Sequence, residues 1–583
     1  MMNKQSFKLV ASIMCVFSLC YQSYGQIENN KNDFIYPLKL PINLNGNFGE
    51  ARSRHFHGGV DFRANNVGAP VLAVADGYVC RISISPYGYG YALFVNHNNG
   101  YTSVYGHLSG FKSDIARFVK DIQYQNKSFS IDTTLNENVF HVKKGDVIAY
   151  SGNSGQSEGP HLHFEIRDTK TNKSLNVINT VYKITDNMPP EIFSLVIYPL
   201  SDYSTVDDKN IKKTFKALKS VGTTYKIENN EIPKVCGNIG FGISYVDKID
   251  GNPFKFGIKD LKLYVNDTLY YHSEMKSIDF TKQRCKNSVF DYEYYLTKKQ
   301  HVHKAFVEPN NDLEIFVTLK NNGIINLKEN EKKKIKIQLY DFNDNTSFME
   351  FVVVGGQIPE NKMLEIANNQ LSNQKYKWNK QNAISSEDFK VELDSATLFC
   401  DSYIEINKLK DRNFSSIYKV GEDVIALRKD IKVSFLLNEK AMNFKDKLVV
   451  SRIHNKIKSV IIPQINNQYA SAFSNSFGEF YLDIDTVAPK ITPKNIKDGS
   501  NLYNQKYIEV EISDNLSGIE KYDMYINDLW VLGEYEPRTK TVRYYFDERF
   551  DKSQKDYVFK TVVVDVVGNR AEYGCKFQIV KTT

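Results

Sequence analysis

The sequence is short of several things, and each shortage excludes something. Of seven cysteines, Cys15 and Cys20 fall in an apolar N-terminal stretch; Cys80, Cys236, Cys285, Cys400 and Cys575 are scattered, odd in number and never spaced C-x-x-C. That leaves no disulfide scaffold and no thiolate zinc site. Cys80, in Tyr78-Val-Cys-Arg-Ile-Ser-Ile, reads as a strand residue and not as a nucleophile. Charge of one sign is also lacking: 75 Lys and Arg against 68 Asp and Glu leave +7, or +5 once Lys4 and Lys8 are set aside. So mild an excess suits anionic polymers and does not argue for nucleic acid. Long 3.6-residue hydrophobic periodicity is scarce. Beyond the N-terminus no apolar run approaches the roughly 20 residues of a membrane span.

The first 25 residues read as a signal peptide. Lys4 and Lys8 precede an apolar core from Leu9 to Tyr21, too short for a spanning helix. Ser23 and Gly25 supply small residues at −3 and −1, which places cleavage before Gln26. Cys20 follows Leu19, where a lipoprotein needs a small residue. The mature chain is therefore expected to be exported, with no transmembrane span.

What is present in quantity is β chemistry. With 37 Tyr, 36 Phe and abundant Val and Ile over 583 residues, the expectation is a mainly β, multi-domain protein. The first domain runs over 26–186. An internal repeat begins after Asp186-Asn-Met-Pro-Pro190. Gly242-Ile-Ser-Tyr-Val-Asp247 parallels Val510-Glu-Ile-Ser-Asp514, and Ile335-Lys-Ile-Gln-Leu-Tyr-Asp341-Phe-Asn-Asp-Asn345 parallels Lys560-Thr-Val-Val-Val-Asp565-Val-Val-Gly-Asn569. Alternating strands with Asp, Asn and Gly turns predict β-sandwiches over 187–355 and 487–583, which resemble immunoglobulin-like modules. Residues 384–486 read as a further β module. The Asn- and Gln-rich stretch 356–383 reads as a linker, with a short helix from Ile358 to Ala367.

Seven of the 11 histidines (His55, His57, His97, His107, His141, His161 and His163) crowd into the first domain. His161-Leu-His163-Phe-Glu165-Ile-Arg167 alternates in period 2, so His161 and His163 share one face of a strand. Two such imidazoles can hold a metal together, or one can hold it while the other handles protons. Glu165, on the same face, either orients an imidazole or forms a structural salt bridge. His57-Gly-Gly-Val-Asp61 sets a histidine and a carboxylate four apart on extended chain, again on one side. His107 ends a further β-like run. Two histidines and one aspartate leave the fourth tetrahedral position of a zinc ion open, the catalytic pattern. His301-Val-His303 has the same spacing, but it sits among Lys298, Lys299 and Lys304 without a neighbouring acid and reads as a solvated face. His97 reads as bonded to turn backbone, and His55 as substrate contact or scaffold.

Asn47-Phe-Gly…Arg54-His-Phe-His57-Gly-Gly-Val-Asp61, Gly68-Ala-Pro-Val-Leu-Ala-Val-Ala-Asp-Gly77, Tyr105-Gly-His107-Leu, Val142-Lys-Lys-Gly-Asp-Val-Ile148 and Gly159-Pro-His161-Leu-His163-Phe-Glu165 together resemble the lysostaphin-like (LytM-type) zinc endopeptidases of peptidoglycan. Order and spacing match over roughly residues 42–168. The resemblance implies that His57, Asp61 and His163 bind one Zn2+ and that His161 and His107 are catalytic. The residues alone do not separate His161 from His163. Inactive relatives lack some of these ligands; this chain is similar to the active kind. The implied activity is a zinc metalloendopeptidase cutting peptide cross-links or stem peptides of bacterial peptidoglycan, in the periplasm or cell envelope. A non-catalytic envelope scaffold or activator, or an endopeptidase on glycine-rich proteins, is the alternative. The C-terminal β-sandwiches are candidate surfaces for an envelope protein partner. An insertion at about 111–141 departs from the compact family pattern. It predicts a helix with Phe111, Ile115, Phe118 and Ile122 on one face, bordering the groove and shaping substrate access.

Overall fold

The computed structural model describes residues 33–357, 374–551 and 553–581. The signal peptide and the expected Ile358–Ala367 helix lie outside the described residues. The first module contains β1 (Leu44–Gly46), β2 (Val60–Arg63), β3 (Pro70–Leu72), β4 (Gly77–Ile84), β5 (Tyr91–His97), β6 (Tyr101–Leu108) and β7 (Gly110–Phe111). Helix α1 (Ser113–Asn126) follows, then β8 (Ile131–Thr134), β9 (His141–Val142), β10 (Val147–Tyr150), β11 (His161–Asp168) and β12 (Ser174–Leu175). The main sheet is antiparallel in the order β1-β2-β11-β6-β5-β4-β8, and β3-β10-β7 form a small second sheet. Period 2 decides its faces. Leu162, Phe164 and Ile166 of β11 and Val60 and Phe62 of β2 enter the core, which turns their polar neighbours to the other side.

The insertion adds edge strand β8 to β4 and contributes α1. The helix buries Ile115, Val119 and Gln123 most deeply, with Phe118 and Ile122 only partly covered, so its buried stripe is offset from the expected one. Its other face explains the offset: Lys120, Asp121 and Tyr124 meet the last module. The insertion therefore serves as a docking platform.

The second module folds around Leu195, Ile243, Leu263, Ile337 and Val353. Strand Lys213–Lys219 pairs with Glu191–Pro199 at one end and with Thr224–Ile227 at the other, joining the halves into one hydrogen-bonded path. The third module packs two five-stranded sheets around Val391, Val433, Tyr418 and Phe480. Lys375–Tyr376 pairs with Ser402–Tyr403, and Asn382–Ser385 with Phe389–Leu393, so this module begins earlier than expected and takes over the end of the proposed linker. The fourth module sets a four-stranded against a five-stranded sheet.

Each module touches the next, and the last returns to the first. The second module extends the main sheet of the first, because Ser174–Leu175 pairs with Ser277–Ile278. Its Phe256, Met275, Ile278, Val289 and Phe290 belong to the same buried core as β1, β2 and β11. Gly49 permits this: at φ 75° it lies so close to Met275 that a Cβ would come within 2.1 Å of Met275 Cγ. Asn310 Nδ2 donates to Ala396 O and Leu398 O, fastening the third module to the second. His301-Val-His303 lies in this region and is not a solvated face. His303 is buried against Phe290, and His301 stacks on Tyr295 at an interplanar angle of 7°. Even Lys304 is buried, paired with Glu308 at 2.6 Å, because the second module packs this strand inward.

Candidate metal centre

The register of three strands builds the centre. His163 stands opposite Asp61 across β11–β2 and opposite Gly106 across β11–β6, so the residue after Gly106, His107, lies beside it. Gly59 lets the His57 loop lie against β11; a Cβ there would come within 2.4 Å of Phe164 O. His57 Nε2, Asp61 Oδ1 and His163 Nδ1 then form a triangle with sides of 3.0, 3.0 and 3.1 Å. A tetrahedral zinc ion with bonds of about 2.0–2.2 Å separates its ligands by about 3.3–3.6 Å. The triangle needs to open by only a few tenths of an ångström, so the donor set fits that ion. His161 Nε2 is 3.4 Å from Asp61 Oδ1, and the His107 ring centroid is 4.8 Å from that of His161 and 5.8 Å from that of His163.

Each imidazole is fixed through its far nitrogen. His57 Nδ1 donates to Asn47 O at 2.7 Å, and His163 Nε2 donates to Glu165 Oε1 at 2.8 Å. His107 Nδ1 donates to Ser154 O and His161 Nδ1 to Gly159 O, both at 2.9 Å. A carbonyl can only accept, so Nδ1 is the donor in both rings; His107 keeps Nε2 as its unprotonated nitrogen, while His161 Nε2 faces Asp61 Oδ1. His107 holds its place at φ 57°, a left-handed conformation costing roughly 1–2 kcal/mol for a non-glycine residue, and its N–H bonds to Tyr89 O.

The charges around the triangle are balanced pair by pair. Burial works against ionised Asp61, yet the His57 charge and hydrogen bonds from His161 and His163 hold its carboxyl well below the usual range. Its other oxygen, Oδ2, accepts from Arg52 Nη2 at 2.7 Å. Burial also opposes charge on Glu165, but the Arg167 guanidinium brings that carboxyl down to about 2. Burial opposes a charged His163; hydrogen bonds to Asp61 and Glu165 override it and push the ring up to about 9, marking the spot as one that attracts positive charge. Burial, then the neighbouring imidazoles of His163 and His161, lower His107 to about 3.

The structure thus brings together all five residues singled out in the sequence. The profile of peptidase family M23 matches residues 55–125 and 122–177. The N-terminal module is a family M23 peptidase domain. An uncharacterized metalloprotease of Haemophilus influenzae is 33% identical to the M23 region over 136 residues, 22% of this chain and 24% of that protein. The DD-carboxypeptidase/endopeptidase Mpg of Neisseria meningitidis is 36% identical over 111 residues, 19% of this chain and 20% of its own. The chain therefore spans 24% or less of the length of these relatives. The catalytic domain of lysostaphin from Staphylococcus simulans is 23% identical, covering 26% of this chain and 96% of that one, with a TM-score of 0.17. Residues 373–485, the third module, match the profile of a Zu5-like domain.

Several residues that serve the M23 centre carried no sequence signal. Tyr89, in the turn between β4 and β5, donates to Glu165 Oε1 at 2.6 Å. Arg52 reaches Asp61 from the loop before His57, and it also pairs with Glu50. Arg167 was legible: it follows Glu165 by two on the same strand face, and its Nε donates to Glu165 Oε2 at 2.7 Å. Glu165 therefore does both things left open for it. His97 Nδ1 donates to Asp76 O at 3.0 Å, a histidine bonded to turn backbone, and His55 lies exposed beside the loop.

Proposed function

We propose that this protein is an exported zinc metalloendopeptidase that hydrolyses peptide cross-links or stem peptides of bacterial cell-wall peptidoglycan. One observation carries the reading: three donor atoms within 3.1 Å of one another, flanked by the imidazoles of His161 and His107, each tied through Nδ1 to a backbone carbonyl. The M23 relatives support peptidase activity, and Mpg is by name a carboxypeptidase and endopeptidase. His57, Asp61 and His163 would hold the ion. When bound, zinc polarises a carbonyl and lowers the pKa of water from about 15.7 toward about 7.

The remaining work falls to the protein. His161 or His107 takes the proton of the attacking water on Nε2. One or both of them, protonated or hydrogen-bonded, stabilise the oxyanion, and such contributions are worth about 10²-fold or more. The bonds to Ser154 O and Gly159 O keep both rings in the required tautomer. Glu165, tied by Arg167 and Tyr89, fixes the orientation of His163.

The test uses the mature full-length protein with intact sacculi, with and without a chelator, beside His163→Ala. Released fragments are weighed. Chelator-sensitive, His163-dependent loss of cross-linked dimers is the expected result, and it names the bond. Stoichiometric zinc without cleavage would shift the substrate class, and neither zinc nor cleavage would overturn the reading in favour of an envelope scaffold.

A further inference from the structure

The repeated Asp motifs of the second and fourth modules have no part in peptidase chemistry. Folding nonetheless brings three aspartates together in each module, at the seam with the module before it. In the second module Asp186, Asp247 and Asp341 lie with carboxylate oxygens within 4.8 Å of one another, and all three are buried. In the fourth, Asp485, Asp514 and Asp565 make the matching group.

The two groups share a scaffold. Asp341 Oδ1 accepts from the N–H of Asn343 and Asn345, while Asn345 Nδ2 bridges Asp341 Oδ2 and Asp186 O. Asp565 Oδ1 accepts from the N–H of Val567 and Asn569, while Asn569 Nδ2 bridges Asp565 Oδ2 and Asp485 O. The copies differ at the third aspartate. In the fourth module Asp514 Oδ1 also lacks a partner, but Leu516 N–H and Gly518 N–H supply its Oδ2, Ser517 N–H supplies Asp485 Oδ2, and Asp514 is only half-buried. At the first seam, Asp247 is 2% exposed and its Oδ1 is buried without any donor. No Lys or Arg forms an ion pair with Asp186, Asp247 or Asp341 among the described residues. Beside them lies a cavity of about 10 Å³, lined by Asp186, Asp247, Asn343, Asn47, Leu44 and Phe342 among others. That is room for one water or one ion.

An unpaired buried carboxylate is costly, and three together are more so. Some positive species has to offset the charge. We propose that Asp186, Asp247 and Asp341 bind a hard divalent cation of the calcium class at the seam between the M23 domain and the second module. The donor set is all oxygen, which suits calcium and disfavours zinc. Calcium takes six to eight oxygens at about 2.3–2.6 Å, so water and backbone carbonyls complete the shell. Without a cation, burial and the carboxylates of Asp341 and Asp186 push Asp247 up to about 9, so a proton takes the ion's place. Asn47 lines the same cavity and its carbonyl holds His57, so the ion would stiffen the frame from which that imidazole is fixed.

The experiment is equilibrium dialysis of the full-length zinc-loaded protein against 1 mM CaCl2 (roughly 100 Kd for a ~10 µM site), with bound calcium counted and thermal unfolding followed with and without the salt. Wild type is expected to bind calcium and to melt about 5 °C higher with it. Asp247→Asn is isosteric and removes the buried charge. It should bind one calcium fewer, lose most of the shift, and without calcium at about pH 8 melt no lower than wild type. Asp514→Asn, at the copy with N–H donors, should leave the shift at the first seam intact. Wild type taking up no calcium would overturn the proposal, as would Asp247→Asn retaining the full uptake and shift. If Asp247→Asn does not fold, the wild-type uptake and the same comparison with Asp341→Asn decide.

Discussion

The M23 domain meets two other modules, and the two contacts are built differently. Against the second module it shares a sheet, through Ser174–Leu175 and Ser277–Ile278, and a core containing Phe256, Met275, Val289 and Phe290. Gln283 Oε1 accepts from Phe56 N at 2.8 Å, one residue before the proposed ligand His57, and Phe290 packs against the Phe56 ring. Asn47, whose carbonyl fixes His57, exchanges two amide bonds with Gly257 at 2.8 and 3.0 Å. Against the fourth module the contact is mostly charged. Lys120 faces Asp547 and Glu548 at 3.2 Å, Arg549 pairs with Asp121, and Arg538 donates to Ser157 O and Asn153 O on the loop leading to His161. Trp530 against Tyr124, and Leu532 in the first core, are its apolar part. A contact made of shared core and ladder bonds folds with the domain, whereas one made of half-exposed ion pairs can open. The first holds His57, a proposed metal ligand, in place, and the second borders the approach to the site.

Four changes would break or sharpen this contrast. The largest effect is expected of Phe290→Ala: a loss of about 3–5 kcal/mol in denaturant unfolding, with weakened zinc binding in metal titration, although residue 290 touches no ligand. Unchanged zinc affinity at that cost in stability would separate the second module from the centre. Asn47→Ala leaves Gly257 N–H and O without partners and should cost about 1–3 kcal/mol by the same measurement. The fourth module should respond to pH through Glu534, half-buried at the seam near Lys120. Burial raises its carboxyl from 4.5 to about 7, so the neutral form favours docking; that contribution is complete below pH 4.5 and lost as pH rises through about 7. Small-angle scattering should show the module loosening across that window, and Glu534→Gln should flatten the response. The smallest effect belongs to Lys120→Ala, about 0–1 kcal/mol, and it should vanish at high salt. A salt-insensitive loss of several kcal/mol would show that this contact too is part of the fold.

The centre was legible because its chemistry is local in sequence. His57 and Asp61, and likewise His161, His163 and Glu165, lie at spacings that an extended chain turns into shared faces. His107 stood out at the end of a β-like run and took its catalytic role from the resemblance, and Arg167 could have been found by the same alternation. Tyr89, Arg52 and Asn47 could not, since each reaches the site from a turn or loop whose path depends on what packs behind it. His301 and His303 show the converse. Their lysines suggested solvent, but packing within the second module buried His303 and stacked the half-buried His301 on Tyr295.

By itself the sequence determined the β character, the order of the modules, the donor residues of the candidate centre and the repeated Asp motifs, because period-2 patterning and short motifs are set by neighbours along the chain. Only the tertiary structure decided that the insertion is a docking platform, that the second module shares the peptidase core, and that three aspartates from distant turns cluster beside one cavity. These depend on surfaces meeting across hundreds of residues, where shape and burial, not spacing, select the partner.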